Sequence, residues 1–206
     1  MSDLLLIGVG AAAATVIVAF ATRSRTVQSA DDALERAAGR ARARPLALHA
    51  ARIGTLPGEP YMHPSIGAAT AAVLLAARAG PLARIVLPLA AASVGAIAAH
   101  HAVKLVYRRP RPAIALARGK TEPAFPSGHT TDATAVLATS AYLLMREGIA
   151  PAEIAIPVAI AFALATGVSR VVLGWHWSTD VIGGWLAGIA IAACSSGLYE
   201  VLSSPS

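Results

Sequence analysis

Apolar residues fall into six blocks along the chain, separated by polar intervals. The first, Leu4 to Ala21, carries no charge and comes close to the roughly 20 apolar residues a helix needs to cross a bilayer core. Five more follow at about residues 62–79, 82–103, 127–146, 150–172 and 179–199, each shorter or more interrupted than the first. They are rich in Ala and Gly, with Gly183, Gly184 and Gly188 in the last. Small residues let helices approach closely where lipid supplies no hydrophobic drive to associate. The pattern predicts an all-α polytopic membrane protein, a six-transmembrane-helix bundle in a single domain over residues 1–206, without internal repeats. A cleavable signal peptide is the rival reading of the first block. It is disfavoured because no Lys or Arg precedes the apolar run, and Ser2-Asp3 supply no positive n-region.

The long polar interval, residues 23–61, opens with Ser29-Ala30-Asp31-Asp32, which resembles a capping box with Asp in place of Glu. A helix is expected to start there, with Leu34, Ala37, Ala38 and Ala41 on one face, Arg36, Arg40 and Arg44 on another, and Pro45 interrupting it. That describes an amphipathic helix lying in the membrane interface after the first span, against the alternative of a solvated connector. Trp175, Trp177 and Trp185 cluster near the start of the last block, where indoles commonly sit at headgroup level. Six spans put the intervals 23–61, 104–126 and 173–179 on one membrane face. This parity gathers Lys104, Arg111, Ser127, His129, Arg170, His176 and Asp180 at one surface.

Composition agrees: 56% of residues are hydrophobic and 14% charged, which argues against a soluble domain. Basic residues outnumber acidic ones 17 to 11, nearly all of them Arg, a balance suited to phosphate or anionic lipid. Nucleic acid is disfavoured as a partner, because this charge sits in loops between apolar segments with no continuous groove. The single cysteine, Cys194, lies in an apolar run and reads as a packing residue.

Three pieces carry chemistry. In Lys104-Leu-Val-Tyr-Arg-Arg-Pro-Arg111-Pro112, Lys104 ends an apolar helix while Pro110 and Pro112 forbid its continuation, so Lys104 and Arg111 come from a helix end and an extended strap. Arg offers phosphate a planar fork, and Lys a mobile point charge. Pro126-Ser127-Gly128-His129 precedes an apolar helix, with Ser127 as its N-cap and Gly128 where backbone can approach an anion closely. His129 would then stand beside bound phosphate and hold a proton for a leaving alkoxide. In Ser169-Arg170 to His176-Trp-Ser-Thr-Asp180, the four-residue spacing lets a carboxylate orient one ring nitrogen and leave the other free. Ionisable residues beside membrane spans are costly, which shifts such a cluster toward function.

Together these pieces resemble the signature of the type-2 phosphatidic-acid phosphatase family, Lys-x6-Arg-Pro, Pro-Ser-Gly-His and Ser-Arg-x5-His-x3-Asp, matched without substitution from Lys104 to Asp180. The resemblance implies that His176 attacks phosphorus, Asp180 orients it, and His129 protonates the departing oxygen and later activates water. It implies that Lys104, Arg111 and Arg170 hold the phosphoryl oxygens, with Ser127 and the Gly128 amide completing the cradle. No cofactor or metal is expected, because the site intervals lack the carboxylate cluster that magnesium or a two-metal centre needs. The expected substrate is a lipid phosphate in the bilayer: phosphatidic acid, phosphatidylglycerol phosphate, or a polyprenyl phosphate, diphosphate or sugar phosphate of cell-envelope synthesis. Vanadium haloperoxidases share these motif positions, but they are soluble, and a binding-only protein has no need of both histidines and Asp180. The resemblance implies a bacterial inner-membrane protein with its site on the outer, periplasmic face. Charge counting opposes that orientation, since seven arginines lie in 23–61 against Arg78, Arg84 and Arg146 on the other face.

Weaker candidates are open to two readings. His100 and His101 adjoin Lys104 but read equally as packed or interfacial residues. Asp132 is either a partner for His129 or a carboxylate favoured by the helix dipole. Arg108, Arg109, Arg118 and Lys120 either draw anionic headgroups or are merely solvated, and His49 and His63 carry no signal.

Overall fold

The computed structural model describes residues 2–204, and the regular structure among them is helical throughout. In chain order the helices are α1 (Ser2–Ala21), α2 (Arg25–Arg42), α3 (Pro45–Gly54), α4 (Met62–Ala76), α5 (Leu82–Val106), α6 (Ala113–Ala117), α7 (Gly128–Arg146), α8 (Ala152–Val172) and α9 (Ser178–Ser203). Each of the six apolar blocks is therefore a helix. Among the described residues α1, α5, α8 and α9 are long and apolar enough to cross a membrane, and α4 is a shorter apolar helix.

The centre of the bundle is α7, which packs against α4, α5, α8 and α9. It carries a row of polar residues, and its Thr130, Thr131, Thr134 and Thr139 are all buried among the surrounding helices. Close approach is made possible by glycine on α9. A methyl group at Gly184 would stand 2.8 Å from the Thr130 Cβ, and one at Gly188 2.5 Å from the Thr134 Cβ. The Gly-x3-Gly spacing thus gives α9 a flat stripe on which the threonines of α7 rest. Trp185, grouped in sequence with headgroup-level indoles, instead packs inward, its indole N–H donating to the Ala163 carbonyl of α8 at 2.9 Å.

The polar interval departs from expectation. Its first helix begins at Arg25, four residues before the anticipated cap at Ser29, and Asp31 lies inside that helix, not at its start. The residues turned toward the bundle are Asp31, Glu35, Ala38 and Arg42, while Leu34 is exposed. The reason is polar: Asp31 and Arg42 find partners on the strap and at the ends of α8 and α9, and those bonds set the rotation of α2. Pro45 ends the first pattern as expected, but it also occupies the first turn of α3, a position its fixed φ suits. The short helix α6 likewise interrupts what reads as a simple extended strap.

All three polar intervals meet at one end of the bundle. Arg42 Nε donates to the Val172 carbonyl at 2.7 Å, Arg118 to the Leu173 carbonyl at 2.9 Å, and Arg109 to Asp31 at 2.6 Å. Arg118 is therefore engaged at the end of α8, and Arg109 is buried, so neither is a freely solvated charge.

Candidate active site

Where the three intervals meet, the chain encloses a cavity of about 1000 Å³, lined among others by Lys104, Arg111, Gly128, His129, Arg170 and His176. Six of the eight residues singled out from the sequence are thereby brought to one space. Ser127 and Asp180 are not in its wall; both are fully buried behind it. Ser127 occupies the N-cap position of α7 with extended backbone, but its hydroxyl accepts from Thr130 Oγ1 at 2.9 Å and caps no amide. Its own N–H donates to the Asp180 carbonyl at 3.0 Å, tying the start of α7 to the start of α9.

The position of His176 follows from how α8 ends. Gly174 adopts φ +75°, and the N–H groups of Gly174 and Trp175 return to the carbonyls of Val171 and Arg170 at 2.9 and 3.0 Å. This is the Schellman arrangement that a left-handed glycine permits. The reversal delivers His176 to the cavity two residues before α9 begins. Its Nε2 lies 3.1 Å from Arg111 Nη1, and its Nδ1 lies 3.5 Å from Asp180 Oδ2. Because a guanidinium only donates, Nε2 must carry a lone pair, and the ring proton belongs on Nδ1, facing the carboxylate. Burial, and then the charges of Arg111, Arg170 and Lys104, hold the imidazole well below its ordinary pKa, so the ring is neutral.

The strap holds Arg111 from both sides. Its Nε donates to the Glu122 carbonyl at 2.8 Å and Nη1 to the Trp175 carbonyl at 2.8 Å, which leaves Nη2 for a ligand. Arg170, in the last turn of α8, donates from Nη1 to Thr55 Oγ1 at 2.9 Å, while its buried Nε has no hydrogen-bond partner. A buried cationic donor without an acceptor is expensive unless an anion visits it. No carboxylate lies within ion-pair distance of Lys104, Arg111 or Arg170 among the described residues.

Several neighbours of the site carry little or no sequence signal. Glu59 places its carboxylate 3.3 Å from His129 Nε2. The turn at Leu56–Gly58 presses so closely on α7 that a Cβ on Gly58 would stand 2.7 Å from the His129 Cβ. Deeper along α7, Asp132 Oδ1 lies 3.4 Å from His100 Nε2, and Asp132 Oδ2 lies 4.0 Å from His63 Nε2. All three are buried in the wall of the same cavity, so His63, silent in the sequence, belongs to the site region. A pattern search for these residues has nothing to find, because they come from three helices and a turn. No group of three His, Cys, Asp or Glu side chains among the described residues is disposed to hold a metal ion.

Two phosphatases are similar to this chain. The fold matches the crystal structure of a transmembrane PAP2-type phosphatidylglycerolphosphate phosphatase from Bacillus subtilis, with a TM-score of 0.84, 26% identity, and coverage of 95% of this chain and 96% of the other. A segment of 103 residues is 35% identical to undecaprenyl-diphosphatase BcrC of Bacillus subtilis (strain 168). That match takes in 48% of this chain and spans about half of the relative, 49% of its length. Residues 83–201, from the start of α5 nearly to the end of α9 and including every motif residue, match the PAP2 superfamily. The chain is therefore an integral membrane protein belonging to the PAP2 superfamily.

Proposed function

We propose that this chain is a lipid phosphatase that removes a terminal phosphate through a transient phosphohistidine on His176. The observation that carries the reading is the neutral His176 with Nε2 turned to Arg111 and Nδ1 to Asp180, in a cavity where Lys104, Arg111 and Arg170 lack carboxylate partners. A phosphate bound to Lys104, Arg111 and Arg170 would meet the lone pair of Nε2. Attack forms the P–N bond as the ester P–O bond breaks, and His129, which takes up a proton when the anionic phosphate is bound, passes it to the departing lipid oxygen. Water then gives a proton to His129 and attacks phosphorus, and the P–N electron pair returns to Nε2 as inorganic phosphate leaves. Such transfer is mainly positioning and charge neutralisation, which three cations and the amides at the start of α7 supply. Asp180 stabilises the imidazolium character that develops on His176, and the 3.5 Å gap is expected to tighten with substrate, as free sites commonly do. Ser127 acts from behind the wall by fixing the start of α7.

The proposal extends to the setting. We read α1, α4, α5, α7, α8 and α9 as six spans of one domain, α2 as an interfacial helix, and the cavity as facing the outer side of the inner membrane. A reporter fused to the C-terminus tests this, since a C-terminus outside puts the cavity in the cytoplasm. The substrate is read as a lipid bearing a terminal phosphate monoester or diphosphate. Full-length likeness to the phosphatidylglycerolphosphate phosphatase supports a monoester, and the BcrC segment supports polyprenyl diphosphate as the second reading. Phosphate released from a panel of these lipids separates them.

The chemistry is tested by quenching turnover of phosphorus-labelled lipid. Base-stable, acid-labile label on the protein at His176 is expected, and no protein-bound label under single-turnover conditions overturns the intermediate. Turnover is also expected to persist in EDTA; loss on chelation with recovery by magnesium would contradict metal-independent transfer.

A further inference from the structure

Asp180, which orients the nucleophile in the proposed mechanism, is fully buried, and each of its oxygens is held by donors from the protein. Its Oδ2 accepts from the Trp177 N–H at 2.9 Å and stands 3.5 Å from His176 Nδ1. Its Oδ1 accepts from Arg109 Nη1 at 2.7 Å. Arg109 stands in the strap two residues before Arg111, at one of the unspecified positions of the first motif piece, and is itself buried. The same Nη1 donates to Thr179 Oγ1 at 2.6 Å, and Nη2 donates to Asp31 Oδ2 at 2.6 Å. Its guanidinium also lies 5.8 Å from the Trp177 ring.

Asp31 closes the arrangement from α2. It accepts from Ser178 Oγ at 2.5 Å, from the Thr179 N–H at 3.0 Å and from Thr179 Oγ1 at 2.5 Å, besides Arg109. Burial alone would push the Asp31 carboxyl up, but the hydrogen bonds of Ser178, Thr179 and Arg109 outweigh it and hold it below the ordinary carboxylate range. A residue from α2 therefore performs for α9 the work of an N-cap, accepting an otherwise unsatisfied first-turn amide. The result is a chain of ion pairs, Asp31–Arg109–Asp180, that joins the surface helix to the carboxylate facing the attacking ring.

We propose that Arg109, clamped by Asp31 of α2, is the positioning residue that keeps Asp180 ionised and aimed at His176, so that a seated α2 is required for turnover. This rests on the phosphohistidine reading above. An isolated buried carboxylate would take up a proton or turn to another donor. With Arg109 gone, Asp180 would lose the only cation bonded to it among the described residues, while Lys104, Arg111 and Arg170 would still bind phosphate.

The test uses the full chain purified in mixed detergent–lipid micelles, with phosphate release from a lipid phosphate monoester and inhibition by orthovanadate as a probe of the phosphate cradle. Arg109→Gln is expected to lower kcat about 100-fold, the scale on which misplacing a reacting group acts. KM and the vanadate inhibition constant should stay within about threefold. Arg109→Lys should restore kcat to within about tenfold, and Asp31→Asn should lower it about tenfold with the same unchanged KM. If the loss appears in KM and vanadate affinity, Arg109 is a phosphate contact and the inference is wrong. It is equally wrong if Arg109→Gln, measured on its folded fraction, turns over at the wild-type rate, or if Arg109→Lys gives no recovery. Failure of the underlying reading looks different: His176→Ala would then retain turnover whatever the Arg109 variants do.

Discussion

The two ends of the helix bundle both set arginines near carboxylates, and they do so to opposite effect. At the end away from the cavity, Arg84 of α5 meets Glu147 at 2.5 Å, and Glu147 also accepts from the Tyr199 hydroxyl. Beside it Arg146 meets Glu200 at 2.8 Å, and Glu200 accepts from Tyr142 at 2.8 Å. Each of these two arginines is neutralised within the protein, and the network pins the ends of α5, α7 and α9 together. At the cavity end, carboxylates are paired with Arg42, Arg109 and histidines, while Lys104, Arg111 and Arg170 face the cavity without one. One end uses its charge to hold helices, and the other holds charge in reserve for a ligand. A cationic pocket kept short of counter-charge stores binding free energy that a phosphate can use.

The sharpest way to test the contrast is to remove the group that the reserved cations serve. His176→Ala is expected to cost at least about 10⁴-fold in kcat, as loss of a nucleophile does, with the protein still folded by circular dichroism. Next, Arg111→Gln should lower kcat/KM by about 10²–10³-fold. It also changes the pH profile in a direction that can be worked out. His176 must be unprotonated to attack, so the rate falls as pH drops through its pKa, and that acid limb lies below the ordinary value of about 6.5 because burial and then Arg111 depress it. Removing the Arg111 charge therefore moves the acid limb toward higher pH. A limb that stays put means the titrating group is not His176.

At the opposite end the same type of substitution should touch stability and spare chemistry. Arg84→Gln leaves Glu147 with one fewer charged partner and is expected to lower unfolding free energy by about 2 kcal/mol with kcat/KM unchanged. Arg146→Ala comes last: its side chain is half exposed, so less than about 1 kcal/mol is expected in thermal unfolding. Strong loss of activity in either variant would erase the distinction between the two ends.

Much of the cavity was readable in advance because its residues have local reasons to be where they are. Lys104 is in the last turn of α5, Arg111 in a proline-bounded strap, and His176 and Asp180 span the start of α9. What could not be read is partnership across the fold. Arg108 and Arg109 are adjacent and alike in sequence, yet one is exposed and the other is clamped between Asp31 and Asp180. That difference depends on α2, 78 residues away in sequence from Arg109, and no periodicity records it. The capping pattern at Ser29 misplaced the start of α2 for a related reason: Asp31 does satisfy a helix start, but that of α9. Glu59 and His63 are similarly invisible until three helices and a turn converge, and Asp132, a candidate partner for His129 in the sequence, turns instead to His100 and His63.

The packing of α1 has a consequence for how the protein is made. Its extensive packing is against α9, so α1 leaves the ribosome long before its partner does. Through most of synthesis α1 must rest in lipid alone, and it is the most apolar of the spanning-length helices, with little of its surface buried. The central helix α7, with its row of threonines, has no such independence. Packing of α7 is thus coupled to that of its neighbours, and closure of the bundle becomes a late event that awaits α9.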